Sequence, residues 1–292
     1  MPRSRIDIAA VKAYFDNRPE KVFPQSELFS LLSLAPAVHP EWNLPRSMTQ
    51  QGFVDLLLHR TEMSKIELAS ADYPSLIRYA WSDPVPVLVA LSIKRAGFLS
   101  HASAMWIHGI GDDENPIYVN VEQSPKPPSR KLLTQESIDR AFRSEQRQSR
   151  LIYKYRGTTI VILSGKNSGK LGVELFKTSS GEEVGATSLE RTLVDIAVRP
   201  AYGGGIVNVL EAFRRSRGRV SAANLLRILK TLDYAYPYHQ SIGLYMKLAG
   251  YEKDDQNLMR GVCQTFNFYL AHGSGDIAFD EDFKVFFPKS LK

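Results

Sequence analysis

One cysteine, Cys263, stands among 292 residues. A single thiol excludes an internal disulfide framework and any zinc site built on several cysteines, and it fits a reducing compartment. The six histidines contain no H-x-x-x-H pair, so a helical metal site is not expected either. No run of about 18 apolar residues exists to span a membrane. The N-terminal stretch MPRSRIDIAAVKAYF lacks the long apolar core of a signal peptide. There is no G-x-S-x-G elbow for a nucleophilic serine, and no internal repeat. These absences lead to a cytoplasmic, membrane-free protein that needs no cofactor and no metal and is not an enzyme.

What is present can fold. A hydrophobic content of 43% with 10% aromatics supports substantial cores, and the length allows two domains. The formal net charge is +6, which makes polyanions plausible partners. Its distribution is uneven. Residues 1–70 hold eight Lys/Arg against eight Asp/Glu, whereas residues 126–170 hold eleven against three, a net of +8. A second basic knot, RRSRGR, covers 214–219. The 126–170 segment, with Lys126, Arg130, Lys131, Arg143, Arg147 and Arg150, is either solvated surface or a patch facing phosphates or RNA.

Along the chain, IDIAAVKAYFDN spaces Ile6, Ala9, Ala10, Ala13 and Tyr14 on one helical face. FPQSELFSLLSLA starts a second helix at Pro24, and a Pro-rich connection, PAVHPEWNLP, follows. The third helix is expected over 46–60, with Met48, Phe53, Leu56 and Leu57 inward and Arg46, Ser47, Thr49, Gln50 and Gln51 polar near its start. SKIELAS and LIRYAWS, joined by ADYP, read as a β-hairpin. Three helices and a hairpin are the order of a winged helix-turn-helix, whose recognition helix presents its first residues to the major groove. Gln pairs with adenine, Arg with guanine, and Ser or Thr with bases or phosphates. Lys65 would touch the backbone, with Arg3 and Arg5 as a flexible arm. The alternative for 1–82 is a small helical protein-interaction domain, which the neutral charge keeps open.

After the SDPVP boundary at 82–86 comes a mixed segment. VLVALSIKRAG reads as a helix, PIYVNVE and LGVELFKT as strands, and LIYKYRGTTIVIL as two arms around Arg156-Gly157. From Thr187 the chain turns helical: Thr187 and Glu190 form a capping box, and Ser221 caps SAANLLRILKTL. The expected class is α+β: a winged helix-turn-helix over 1–82, then a mixed α/β domain with a helical C-terminal part over 83–292.

Three stretches imitate catalytic motifs. SGKNSGKL at 164–171 has one residue too few between its glycines for a phosphate-binding loop, and Leu171 stands where a hydroxyl is required. GSGDIAFDED at 273–282 suggests a nucleotidyltransferase acid pair, but its spacing is too short, so a charged turn is expected. GFLSHASAMWIHGI holds Ser100, His101 and His108; seven residues separate the histidines, about 10 Å along a helix, too far to share a metal. Ser100 is placed as an N-cap and Met105 and Trp106 as core.

Several blocks together resemble the AbiEi-type antitoxins. RAGFLSHASAMWIHGI followed by PIYVNV is similar to that family's central signature, and GVELFKTSSGEEVGATSLERTLVDIAVRPAYGGGIVNVLEAF to its most distinctive block. HQSIGLYMKLAG and FFPKSL resemble its later helical elements, so the likeness spans roughly 83–292. It implies a component of a bacterial type IV toxin–antitoxin system. The first domain would repress its own promoter by binding inverted repeats of double-stranded DNA, with two protomers or modules on two half-sites. The second would counteract a cognate nucleotidyltransferase-like toxin, often in phage defence. Within the match Glu190, Arg191 and Asp195 are read as structural, the last two pairing at i, i+4. The reading that competes is an RNA-binding protein acting through 126–170.

Overall fold

The computed structural model describes residues 6–112, 115–125, 132–178, 181–273 and 276–291. The chain opens as α1 (Ile8–Asp16), β1 (Val22–Phe23), α2 (Gln25–Val38), a 3-10 turn (Pro40–Trp42), α3 (Gln50–Arg60), β2 (Met63–Leu68) and β3 (Leu76–Trp81). The strands form an antiparallel sheet in the order β1-β3-β2. Asp7 starts α1 by accepting the Ala10 N–H at 3.0 Å. The hairpin is as expected, but β1 is a strand that propensity does not announce: two residues pair with Tyr79 and Ala80.

Two local expectations shift. The Pro-rich connection is partly structured, because α2 runs through Pro36 to Val38 and the 3-10 turn drives Trp42 fully into the core. There Trp42 meets Tyr14, His39 and Phe53 at ring centroid distances of 5.3, 4.5 and 6.2 Å. Aromatic packing of this kind and the burial of Ala35 outweigh the hydrogen bond that Pro36 cannot donate. The third helix begins at Gln50 and not at 46. Thr49 is extended and its Oγ1 accepts the Gly52 N–H at 3.0 Å, so Arg46 and Ser47 lie in the preceding turn.

Both faces of the β1-β3-β2 sheet carry buried side chains. Phe23, Met63, Tyr79 and Trp81 pack with Val11, Phe15, Leu28, Phe53 and Leu57 from the three helices. Val22, Ile66, Leu68 and Ala80 point the other way, into a second core with Val87, Leu99, Val119, Tyr153 and Ile160. Alternation along a strand makes this possible. Ala69 and Lys154 exchange backbone hydrogen bonds of 3.2 and 2.7 Å, and Arg78 donates to the Ser92 and Ile93 carbonyls.

The second core belongs to a six-stranded sheet. Its elements are α4 (Pro86–Leu91), β4 (Phe98–Leu99), α5 (Ala102–Ile107), β5 (Ile117–Glu122), α6 (Gln135–Arg143), β6 (Ile152–Tyr155), β7 (Thr158–Gly165), β8 (Val173–Lys177) and β9 (Glu183–Thr187). The strand order is β6-β7-β5-β4-β9-β8, with β5–β7 and β4–β9 parallel and the other pairs antiparallel. Arg156 and Gly157, with φ of 46° and 81°, make the tight β6–β7 turn read from their sequence.

Helices close the fold: α7 (Leu189–Val198), a 3-10 turn (Pro200–Gly203), α8 (Ile206–Ser216), α9 (Ala222–Leu232), α10 (Tyr238–Leu248) and α11 (Lys253–Arg260). A small sheet, β10-β12-β11, follows from β10 (Phe268–Tyr269), β11 (Ile277–Asp280) and β12 (Val285–Pro288). Leu193, Ile196, Phe213, Ile228, Ile242 and Tyr245 centre this third core. Ser221 caps α9 as expected, at 3.2 Å from the Asn224 N–H. The cap of α7 falls one residue later than read: Ser188 Oγ accepts from Arg191 N, while Thr187 Oγ1 is engaged with Thr192 Oγ1 at 2.8 Å. The fold is mixed α/β, and among the described residues no helix is long and apolar enough to cross a membrane.

Candidate functional site

The polar residues selected from sequence sit at the start of α3. Arg46, Ser47, Thr49, Gln50 and Gln51 are all exposed, while Phe53, Val54 and Leu57 anchor the opposite side of the helix in the core. Thr49 is partly occupied by its cap, and Gln51 Nε2 donates to Asp55 Oδ1 at 2.8 Å. Lys65 is exposed on β2, and alternation puts it on the same sheet face as Met63, the face that carries the helices. Arg3 and Arg5 lie outside the described residues.

The basic segment does not stay together. Lys126, Arg130 and Lys131 lie outside the described residues. Arg143 is exposed in the last turn of α6, and Arg150 is exposed just before β6. Arg156 pairs with Asp83 on the β6–β7 turn. Arg147 and Lys166 instead meet at the mouth of a polar cavity.

That cavity, about 310 Å³, is the feature that sequence reasoning missed. Its buried wall carries His101, Asn120, Arg191 and Asp195, and its outer wall carries Arg147, Lys166 and Arg199. His101 follows the short strand β4 and precedes α5 at φ 53°, ψ −130°, a conformation that costs a non-glycine residue about 1–3 kcal/mol. The Ser100 hydroxyl and His101 Nδ1 are 2.9 Å apart, so this hydroxyl serves the imidazole; α5 has no side-chain cap, contrary to the N-cap role expected for Ser100. Burial, reinforced by the charges of Arg191 and Arg199, lowers His101 to about 3, and the ring is neutral at pH 7.

Arg191 and Asp195 pair at 2.8 Å, as their spacing indicates, but on the wall of the cavity and not on an open helix face. Arg191 Nη1 also donates to the Leu171 carbonyl at 2.8 Å, which fastens the 164–171 loop against α7. Burial pushes the Asp195 carboxyl above its ordinary value, against the pull of Arg191. Asp195 Oδ2 and Asn120 Oδ1 have no hydrogen-bond partner. Gly165, which ends β7, must be small, since a Cβ there would lie 2.5 Å from Asn120 Oδ1. Four separated stretches build this wall, which is why no single motif announced it.

The other imitations of catalytic motifs resolve into structural pairs. His108 is remote in role from His101, with Nε2 2.7 Å from the Thr187 carbonyl and its ring edge-on to Phe176. Asp282 binds Lys247 at 2.7 Å and Arg260 at 3.4 Å, Asp280 also pairs with Lys247, and Asp276 pairs with Lys289 at 2.7 Å. Among the described residues no group of three or more His, Cys, Asp or Glu side chains is placed to hold a metal.

No family model matches the chain, and no curated protein matches it. Among solved structures the chain is similar to the crystal structure of the RV2827C protein from Mycobacterium tuberculosis, at 15% identity and a TM-score of 0.55. The match covers 98% of this chain and 94% of that one, so the likeness is one of fold along nearly the whole chain.

Proposed function

We propose that the chain is a non-enzymatic, cytoplasmic DNA-binding autorepressor and the antitoxin of a type IV toxin–antitoxin pair, with residues 1–82 as a winged helix-turn-helix. The observation that carries the DNA-binding part is α3. Its first turn is polar and exposed while its other side is locked into the core through Phe53, Val54 and Leu57. The order α1-β1-α2-α3-β2-β3 and the sheet order β1-β3-β2 support the same reading, because they seat α3 with its N-terminus free. Gln50, Gln51 and Arg46 would read base edges, Ser47 and Thr49 phosphates or bases, and Lys65 the backbone. The antitoxin part rests on the resemblance of the 83–292 blocks, and dimerisation on DNA on the two-fold symmetry of inverted repeats.

A mobility-shift titration with the chain's own promoter tests the repressor. Specific binding should be steeply salt-dependent, and Gln50→Ala with Gln51→Ala should relax specificity at one or two base pairs, about 1–3 kcal/mol each. Equal affinity for promoter and random DNA would refute the repressor. Unchanged specificity in the variant would show that another element reads the bases. Co-expression with the neighbouring toxin tests the antitoxin part, and growth inhibition that the chain fails to relieve would refute it.

A further inference from the structure

Two acceptor oxygens on residues that line the cavity are left without donors. Asn120 and Asp195 are each 3% exposed, and their Oδ1 and Oδ2 atoms, respectively, have no partner. A buried, unpaired acceptor is costly, about 1–3 kcal/mol, and is expected where something else supplies the donor. Around these atoms stand four cations, Arg147, Lys166, Arg191 and Arg199, and one acid, Asp195, which already neutralises Arg191.

The cations at the outer wall retain free N–H groups. Lys166 donates to the Asp233 carbonyl and lies 4.0 Å from the exposed Asp233 carboxylate, and Arg199 Nη1 donates to the Arg147 carbonyl at 3.2 Å, so each keeps further N–H donors. Arg147 itself is exposed. A monocarboxylate would satisfy only one of the two charges, on Arg147 and Arg199, that no acid among the described residues pairs. A phosphate monoester carries about two charges and three terminal oxygens, which suit guanidinium forks and an ammonium. The buried oxygens ask for the opposite chemistry, hydroxyl or amino donors, on the part of the ligand that lies deeper. His101, neutral on the same wall, adds one more polar side chain.

The geometry points to a binding site for a phosphorylated sugar or nucleoside, with its phosphate on Arg147, Lys166 and Arg199 and a hydroxyl or amino group donating to Asp195 and Asn120. This site lies on the sheet and helices after residue 98 and shares no residue with the start of α3, so it stands or falls independently of DNA binding.

Calorimetric titration of the full chain with AMP, ribose 5-phosphate, adenosine and inorganic phosphate tests it. At least one of the two esters should bind with a Kd below about 1 mM and at least tenfold more tightly than adenosine or inorganic phosphate. Binding of AMP alone assigns a nucleotide, and binding of ribose 5-phosphate with similar strength assigns the sugar phosphate as the recognised unit. Arg147→Ala with Lys166→Ala should weaken the ester tenfold or more. Both side chains are exposed, and an unchanged unfolding temperature shows that the fold is intact. Arg214→Ala, on α8 away from the cavity, should change nothing. Absence of ester binding, equal binding of inorganic phosphate, or full affinity in the double variant would each overturn the assignment.

Discussion

Replacing Asp195 by leucine should expose what the Arg191–Asp195 pair does for the fold. The two side chains are 2% and 4% exposed, so the substitution leaves a guanidinium deep in the protein without its counter-charge. Breaking a buried pair from one side costs about 3–5 kcal/mol. Arg191 would keep the Leu171 carbonyl at 2.8 Å and Ser168 Oγ at 3.4 Å, which sets the expectation at the low end, about 3 kcal/mol. Read by urea titration with a slope near 3 kcal/mol/M, this is a midpoint shift of about 1 M. Arg191→Met combined with Asp195→Leu removes both charges and should recover most of the loss, because a buried pair and an apolar pair of similar volume are nearly equivalent. The cycle then gives a coupling energy of about 2 kcal/mol or more. A single-variant cost below about 1 kcal/mol, or strictly additive costs, would refute the view that the pair is a desolvated unit.

Three further outcomes follow from other parts of the fold. Gly243→Ala would put a Cβ 2.2 Å from the ring of the fully buried Phe283, and overpacking of about 1–3 kcal/mol should exceed the helix-propensity gain of about 1 kcal/mol; a rise in unfolding temperature would contradict this. His101 is neutral in the folded chain down to about 3 but protonates near 6.5 when unfolded, so its share of stability is present above pH 6.5 and is lost as pH falls below that value. His101→Gln should flatten the fall in unfolding free energy, read by urea titration between pH 6 and 4, by up to about 1.4 kcal/mol per pH unit, while half-buried His108 and buried His239 keep their own contributions; an unchanged slope would exclude this origin. Thr49→Ala removes the cap on Gly52 and should cost about 1 kcal/mol by thermal unfolding, with no loss indicating that α3 starts elsewhere.

What was legible in the sequence was local. The β6–β7 turn at Arg156-Gly157, the Ser221 cap and the i, i+4 pair of Arg191 and Asp195 depend on residues a few positions apart, and each forms. Errors of one to four residues arose where neighbouring hydroxyls compete: Ser188 caps α7 instead of Thr187, and Thr49 starts α3 instead of a residue near 46. The strand β1 was invisible because two residues have no periodicity, and only pairing with β3 makes them a strand. The cavity was invisible for a stronger reason. Residues 101, 120, 147, 166, 191 and 199 meet only after six strands have been ordered, and the strain at His101 lies in a backbone angle that no spacing encodes.

The two-faced sheet also changes how the first part of the chain relates to the rest. A hairpin that projects from a helical domain would carry polar residues on one face, yet Ile66, Leu68 and Ala80 fill that face with buried apolar side chains. The backbone exchange between Ala69 and Lys154 and the reach of Arg78 to the Ser92 and Ile93 carbonyls fasten the same strands to the next core. Swinging α3 away from the central sheet would therefore uncover Val22, Ile66, Leu68 and Ala80 together, each worth about 1–3 kcal/mol of burial for the larger side chains. That cost is comparable with the whole stability of a domain. The polar start of α3 is accordingly held in a fixed orientation by residues on the far side of its own sheet, and DNA bound there as proposed would have to fit that orientation rather than adjust it.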